Sequence, residues 1–202
     1  TAGPPIPFGR LRITMTGGPG PLGSRRGEAT PTLLVLAAPI TRPESSTSVV
    51  LAPWSRNELG AVAGLKTTSY AENVVALAHA RDRGASEALL ANTRGQLCEG
   101  TGSNVVLAVG GRLVTPPLTS GCLAGITREL LLEWAAQEGP AIEERDIGLA
   151  ELSEADEVLL TSSTRDVQPV HAVDDRRLAG SGPLGQAASR MFARQAALTP
   201  DP

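Results

Sequence analysis

This chain of 202 residues carries 17 arginines and a single lysine, Lys66. An arginine stays protonated in a protein, whereas a lysine amine can be deprotonated and act as a nucleophile. Lys66 stands in AGLKTTSY, where a glycine before it and small hydroxyl residues after it leave room for a bulky group at the amine. That setting suits an amine that forms an imine with an aldehyde; a solvated loop lysine fits it too.

Three further patterns have chemical potential. Glu99, in LCEGTGSNV, precedes a glycine-rich turn expected to present several free backbone N–H groups. The run Gly125-Ile126-Thr127-Arg128 opens the strongest helical pattern in the chain. Unpaired amides and a positive dipole end make a helix start a ready phosphate site. Ser162-Ser163-Thr164 closes an apolar strand, where hydroxyls and amides could form a second clasp on the same phosphate. Each pattern alone is also met as a turn glutamate, a Thr-capped helix or a polar strand end.

The loop TGGPGPLGSRRG lacks the Gly-Lys-Ser/Thr ending of a Walker loop and does not match GxGxxG. Its pair Arg25-Arg26 could hold a substrate carboxylate by bidentate hydrogen bonds, or be solvated loop charge. His79 and His171 have no sequence partners and read as structural, and Cys98 and Cys122 read as packed small side chains. Two distant histidines and no CxxC pair leave no zinc signature.

An amine, a carboxylate and two phosphate clasps are together the requirements for pyridoxal phosphate. The lysine holds the aldehyde as an imine, and a carboxylate keeps the pyridine nitrogen protonated. The ring then accepts electrons from a carbanion formed beside the imine.

The elements that would position these groups follow from periodicity. Residues 11–16 (LRITMT) alternate as a strand does, and 32–38 and 48–52 read as further strands. Residues 70–83 read as a helix with Val74, Leu77, Ala78 and Arg81 on one face, ended by Gly84. Residues 87–92, 104–109 and 112–115 read as strands, the last two joined by a Gly110-Gly111 hairpin turn. Helices follow at 127–138, 149–155 and 184–198, with strands at 141–147 and 157–161. Without a regular βαβ rhythm, this order points to an α+β fold with a mixed, barrel-like sheet and surrounding helices.

Composition excludes several classes. A net charge of −3 leaves no basic footprint for nucleic acid, and no apolar run approaches the length of a membrane span. Two cysteines make no disulfide framework, so a cytoplasmic setting is expected. The opening TAGPPIPFGR reads as a linker: residues 1–10 as the remnant of a missing N-terminal domain, 11–202 as a cofactor-binding domain.

LKTTSYAENV, EALLANTRGQLCEGTGSNVVL, LVTPPLTSGCLAGITREL and ADEVLLTSSTRDVQPV, in that order, resemble the class IV (fold-type IV) pyridoxal-phosphate enzymes. That family contains branched-chain aminotransferases, D-amino-acid aminotransferases and 4-amino-4-deoxychorismate lyases. The resemblance implies that Lys66 is the Schiff-base lysine and that Glu99 partners the pyridine nitrogen. It implies a phosphate clasp of Ile126, Thr127 and Ser163, with Thr164 flanking phosphate and substrate carboxylate, Leu123 on the ring face and Tyr70 near the phenolic oxygen. It also implies a homodimer, a small-molecule substrate and a large domain whose small N-terminal companion is absent here.

Within the family, GLKTTSYAENVVALA…GASEALLANTRGQLCEGTGSNV is most similar to actinobacterial aminodeoxychorismate lyases, which carry a Gly-rich, Arg-containing loop near the substrate. The implied reaction converts 4-amino-4-deoxychorismate to 4-aminobenzoate and pyruvate, a step toward folate. A class IV aminotransferase acting on branched-chain or D-amino acids would use the same residues. A catalytically impaired, incomplete domain is the third reading.

Overall fold

A computed structural model describes residues 4–23, 25 and 27–199 of the chain, which divides into two compact units, Thr1–Pro43 and Glu44–Pro202. In the first, β1 (Gly9–Thr16) and β2 (Thr32–Pro39) form an antiparallel pair, in register from Gly9↔Pro39 to Thr16↔Thr32. The alternation of LRITMT places Leu11, Ile13 and Met15 opposite Ala37, Val35 and Leu33, so these six share one face.

The second unit is built on β3 (Thr47–Arg56), α1 (Ala71–Arg81), β4 (Glu87–Asn92), β5 (Leu97–Gly100), β6 (Asn104–Val109) and β7 (Arg112–Thr115). After these come α2 (Ile126–Glu138), β8 (Ile142–Glu144), α3 (Leu149–Glu154), β9 (Glu157–Ser162), β10 (Asp166–Val173), β11 (Arg176–Arg177) and α4 (Pro183–Leu198). Its strands form one mixed sheet in the order β5-β4-β3-β10-β9-β6-β7-β8, with β11 on β10. The pairs β3–β4, β3–β10 and β7–β8 are parallel, the rest antiparallel.

The sheet curls, and both its faces are covered, which is why β4, β6 and β9 read as unbroken apolar runs rather than alternations. Leu89, Val105, Leu107, Val158 and Leu160 point into the enclosed face. Their neighbours Val106, Ala108 and Leu159 point outward beneath α2 and α4. There Trp134 and Phe192 meet with ring centroids 5.0 Å apart. The start of α4 is closed by buried Glu157, which accepts the N–H groups of Leu184 at 3.0 Å and Gly185 at 2.7 Å. An anion at a helix N-terminus satisfies orphan donors and meets the dipole favourably.

Gly110 and Gly111 form the expected two-residue hairpin, both at positive φ (57° and 75°) as a type I′ turn requires. Three expectations change. The helix at 71–81 buries Ala76 and Ala80 and leaves Val74 exposed. Small alanines let α1 lie close on Val50, Ala52, Ala88 and Leu90, which the larger side chains of the expected face would not allow. Strand β3 runs beyond residue 52 to Arg56, because after a register irregularity Ser55 and Arg56 pair with Ala91 and Asn92 of β4. The strand expected over 141–147 is confined to Ile142–Glu144. Among the described residues no helix is long and apolar enough to cross a membrane.

Candidate active site

The extended end of β3 delivers Arg56 to a cleft of about 550 Å³ in the second unit. The cleft is walled by the 57–70 loop, the first turn of α1, the β5–β6 turn, the 121–125 segment, the start of α2 and the end of β9. Strand ends and a helix start converge there, so backbone groups that no ladder or helix uses face one space.

Lys66 enters from the loop. Its Nζ lies 3.3 Å from Tyr70 Oη and 5.6 Å from the centre of the Tyr70 ring, and the residue is exposed. Glu99, on β5, is 9% exposed. Burial pushes its carboxyl above the ordinary carboxylate range, opposed by the Leu123 N–H and by the charges of Arg56 and Lys66. The Leu123 N–H donates to Glu99 Oε2 at 2.9 Å, and Arg56 Nε stands 3.3 Å from Oε1. That Nε is an ion-pair neighbour without hydrogen-bond alignment and has no hydrogen-bond partner among the described residues. Arg56 also pairs with Glu72 through Nη1 and donates from Nη2 to Asn73 Oδ1 at 2.9 Å.

Helix α2 begins at Gly125, not at a threonine cap, and no side chain caps it. The first bond back to the cap is Glu129 N–H to Gly125 C=O at 2.9 Å, so the amides of residues 126–128 have no intrahelical acceptor. Glycine is required by proximity: a Cβ at position 125 would lie 2.1 Å from Asn104 Oδ1. Asn104 in turn donates from Nδ2 to the Leu123 carbonyl at 2.8 Å and pairs across the sheet with Thr161. Among the described residues the buried hydroxyls of Thr161 and Ser162 have no hydrogen-bond partner, and both residues line the cleft. An orphaned buried hydroxyl is costly, so a pair of them beside an uncapped helix start marks a place built for an acceptor.

Of the residues singled out from sequence, Lys66, Tyr70, Glu99, Leu123, Ile126, Thr127 and Ser163 all line this cleft. Thr164 sits in the β9–β10 turn, outside the lining. Arg25 is an exposed residue of the first unit, and Arg26 lies outside the described residues. The turn after Glu99 differs from expectation. The amides of Thr101 and Gly102 are not free but donate to Glu87 at 3.0 and 3.3 Å, Thr101 sharing its N–H with the Ala88 carbonyl at 3.1 Å.

Sequence reasoning passed over Arg56, Asn73 and Glu87. Cys98 and Cys122 are buried free thiols, and burial pushes Cys98 up to about 12. His79 packs edge-on against Trp54 at 5.4 Å, and His171 Nδ1 bonds Ser46 Oγ at 2.9 Å. Among the described residues no group of His, Cys, Asp and Glu could hold a metal ion.

The model of the amino-transferase class IV family matches residues 2–173. The chain belongs to that family. It is 34% identical over 123 residues to the branched-chain-amino-acid aminotransferase of Pseudomonas aeruginosa, covering 61% of this chain and 39% of that protein. It is 30% identical over 194 residues to a bifunctional aminodeoxychorismate lyase / D-amino acid transaminase of Mycobacterium tuberculosis, covering 84% and 63% of the two. The branched-chain amino acid aminotransferase of Thermobaculum terrenum, solved in its PLP form, superposes with a TM-score of 0.81 at 26% identity, covering 92% of this chain and 64% of that one. The chain thus spans less than two thirds of each of these relatives.

The family is pyridoxal-phosphate-dependent. The cleft's donor set fits that group: a primary amine, a buried carboxylate, an uncapped helix start and two orphaned hydroxyls.

Proposed function

We propose that this chain is the cofactor-binding part of a pyridoxal-phosphate lyase that converts 4-amino-4-deoxychorismate to 4-aminobenzoate and pyruvate. The observation that carries the cofactor reading is the convergence of the chain's one lysine with Glu99 and the uncapped start of α2 in one cleft. The lyase reading draws on the bifunctional relative and on the Gly- and Arg-rich loop at 17–27.

Lys66 would hold the cofactor's aldehyde, Glu99 its ring nitrogen, Leu123 its ring face, and Tyr70 would lie near its phenolic oxygen. The amides of Ile126 and Thr127, with Ser163 and the orphaned hydroxyls of Thr161 and Ser162, would hold the phosphate. Thr164 and the Arg25-Arg26 pair would serve substrate carboxylates. When bound, the cofactor supplies an electron-accepting ring beside a carbon that a primary amine attacks.

The work of the chain's own residues follows from their geometry. Tyr70 Oη, 3.3 Å from Lys66 Nζ, orients the amine. Lys66 Nζ takes the proton from the amine-bearing carbon of the substrate, and its conjugate acid returns a proton to the departing enolpyruvate. Arg56 and the Leu123 N–H orient Glu99 and offset part of the desolvation that raises its carboxyl. Aromatisation of the product drives the reaction forward.

The second reading is amino transfer to a 2-oxo acid by the same residues, favoured by the relatives named branched-chain-amino-acid aminotransferases. We further propose a cytoplasmic homodimer. Leu59, Val62, Leu65 and Val74, exposed on or beside the loop that carries Lys66, are apolar surface a second copy would cover. The test is product analysis with the full-length enzyme. Equal amounts of 4-aminobenzoate and pyruvate, without a 2-oxo acid acceptor, support the lyase. Amino transfer to 2-oxoglutarate with no 4-aminobenzoate replaces it by the transaminase.

A further inference from the structure

Glu87 opens β4 and is 3% exposed, yet the chemistry above does not use it. A carboxylate that deep must be paired or hydrogen-bonded. Among the described residues no cation forms an ion pair with it; the β5–β6 turn surrounds it instead. Oε1 accepts the Thr101 N–H at 3.0 Å and the Thr101 hydroxyl, together with the Ala88 N–H at 3.0 Å. Oε2 accepts the Gly102 N–H at 3.3 Å and the Ser103 hydroxyl at 3.0 Å.

Four donors from three consecutive residues thus close around one internal anion, and the same three residues line the cleft. On the cleft side, Asn73 Nδ2 holds the Thr101 carbonyl at 2.6 Å, while Asn73 Oδ1 accepts from Arg56. The turn begins directly after Gly100, next to Glu99, and ends directly before Asn104. Those two side chains hold both ends of Leu123, Glu99 at its N–H and Asn104 at its carbonyl.

We propose that Glu87 is a positioning residue: by occupying the Thr101–Ser103 turn as a built-in anion, it fixes where Glu99 and Asn104 face the cleft. It also withdraws the turn's amides from any anionic ligand, so a ligand phosphate is directed to the start of α2. The role of Glu87 rests on the reading of the cleft as a pyridoxal-phosphate site, and the experiment separates the two.

Amide exchange of the ligand-free chain is measured first. In the wild type, Thr101 and Gly102 should exchange as slowly as the amides of β4; exchange at the rate of an open loop would overturn the proposal without any variant. In Glu87→Gln, an NH2 replaces one acceptor and faces two donors, so the Gly102 amide should exchange at least about tenfold faster relative to β4, while Thr101, whose N–H also donates to the Ala88 carbonyl at 3.1 Å, should change less. Pyridoxal phosphate is then titrated well below the unfolding midpoint. Its dissociation constant should rise at least about fivefold in Glu87→Gln and its visible absorption band should shift, with part of the affinity regained in Glu87→Asp.

Thr101→Val keeps the shape but removes one donor, and should raise the constant about two- to threefold, which keeps the test decisive where Glu87→Gln does not fold. A wild type that takes no pyridoxal phosphate refutes the reading of the cleft, and the exchange rates still decide the hold of Glu87 on the turn. A wild type and a Glu87→Gln variant with equal affinity, equal spectra and equal exchange at Gly102 refute the role of Glu87.

Discussion

Replacing Gly125 with alanine tests the contact that sets the start of α2. The backbone there, φ −72° and ψ 130°, is one alanine adopts freely, so the cost is steric. The new Cβ would stand 2.1 Å from Asn104 Oδ1, more than an ångström inside ordinary contact, and 3.3 Å from its Cγ. Asn104 is 5% exposed at the start of β6 and lines the cleft. Either the amide swings away or the helix start retreats, and both break the 2.8 Å bond from Asn104 Nδ2 to the Leu123 carbonyl. A neutral hydrogen bond contributes about 1 kcal/mol, and leaving its buried partners unmatched costs about 1–2 kcal/mol more.

Urea unfolding of the ligand-free chain, followed by the fluorescence of buried Trp134, should therefore show a loss of about 2–3 kcal/mol in Gly125→Ala. In an Asn104→Ala background the clash and the bond are already gone. The same change should then cost only about 0.5 kcal/mol, the weaker capping preference of alanine. A single variant within about 0.5 kcal/mol of wild type, or strict additivity in the double variant, would refute the steric reasoning.

Glu99→Gln should change how stability depends on pH. Burial raises the folded-state pKa of Glu99, so ionisation opposes folding. Its contribution is fully present below the ordinary carboxylate pKa and is lost as pH rises through the raised value. Relative to wild type, the glutamine variant should gain stability as pH rises above the ordinary carboxylate range, and a difference that is flat or runs the other way contradicts this. Leu131, fully buried between the sheet and α4, should lose about 2–5 kcal/mol on truncation to alanine, and a loss below about 1 kcal/mol would mean the helix is not packed as described.

Much of this was readable from local pattern. The Gly-Gly hairpin, the apolar runs of β4, β6 and β9, and the amphipathic α2 each depend on near neighbours in the chain. What was missed depends on partners far away in sequence. Arg56 meets Glu99 only because β3 extends along β4, and nothing in APWSRN signals that extension. Glu87 had a signal, a charged residue opening an apolar strand, but its partners lie 14 to 16 residues on, across the β4–β5 hairpin. The same long-range pairing closed the amides after Glu99 that looked free in the sequence. The face of α1 was misread because hydrophobicity favours valine and leucine, whereas close packing on a sheet favours alanine.

Lys66 is the residue proposed to hold pyridoxal phosphate, and the composition makes that testable at one address. The chain is incubated with pyridoxal phosphate, reduced with borohydride, digested and mapped by mass spectrometry. One phosphopyridoxyl group on the peptide containing Lys66, absent from a folded Lys66→Arg variant, is the expected result. A folded chain that takes no label, or takes it only at the α-amine of its first residue, would rule out Lys66 as the holder of the cofactor.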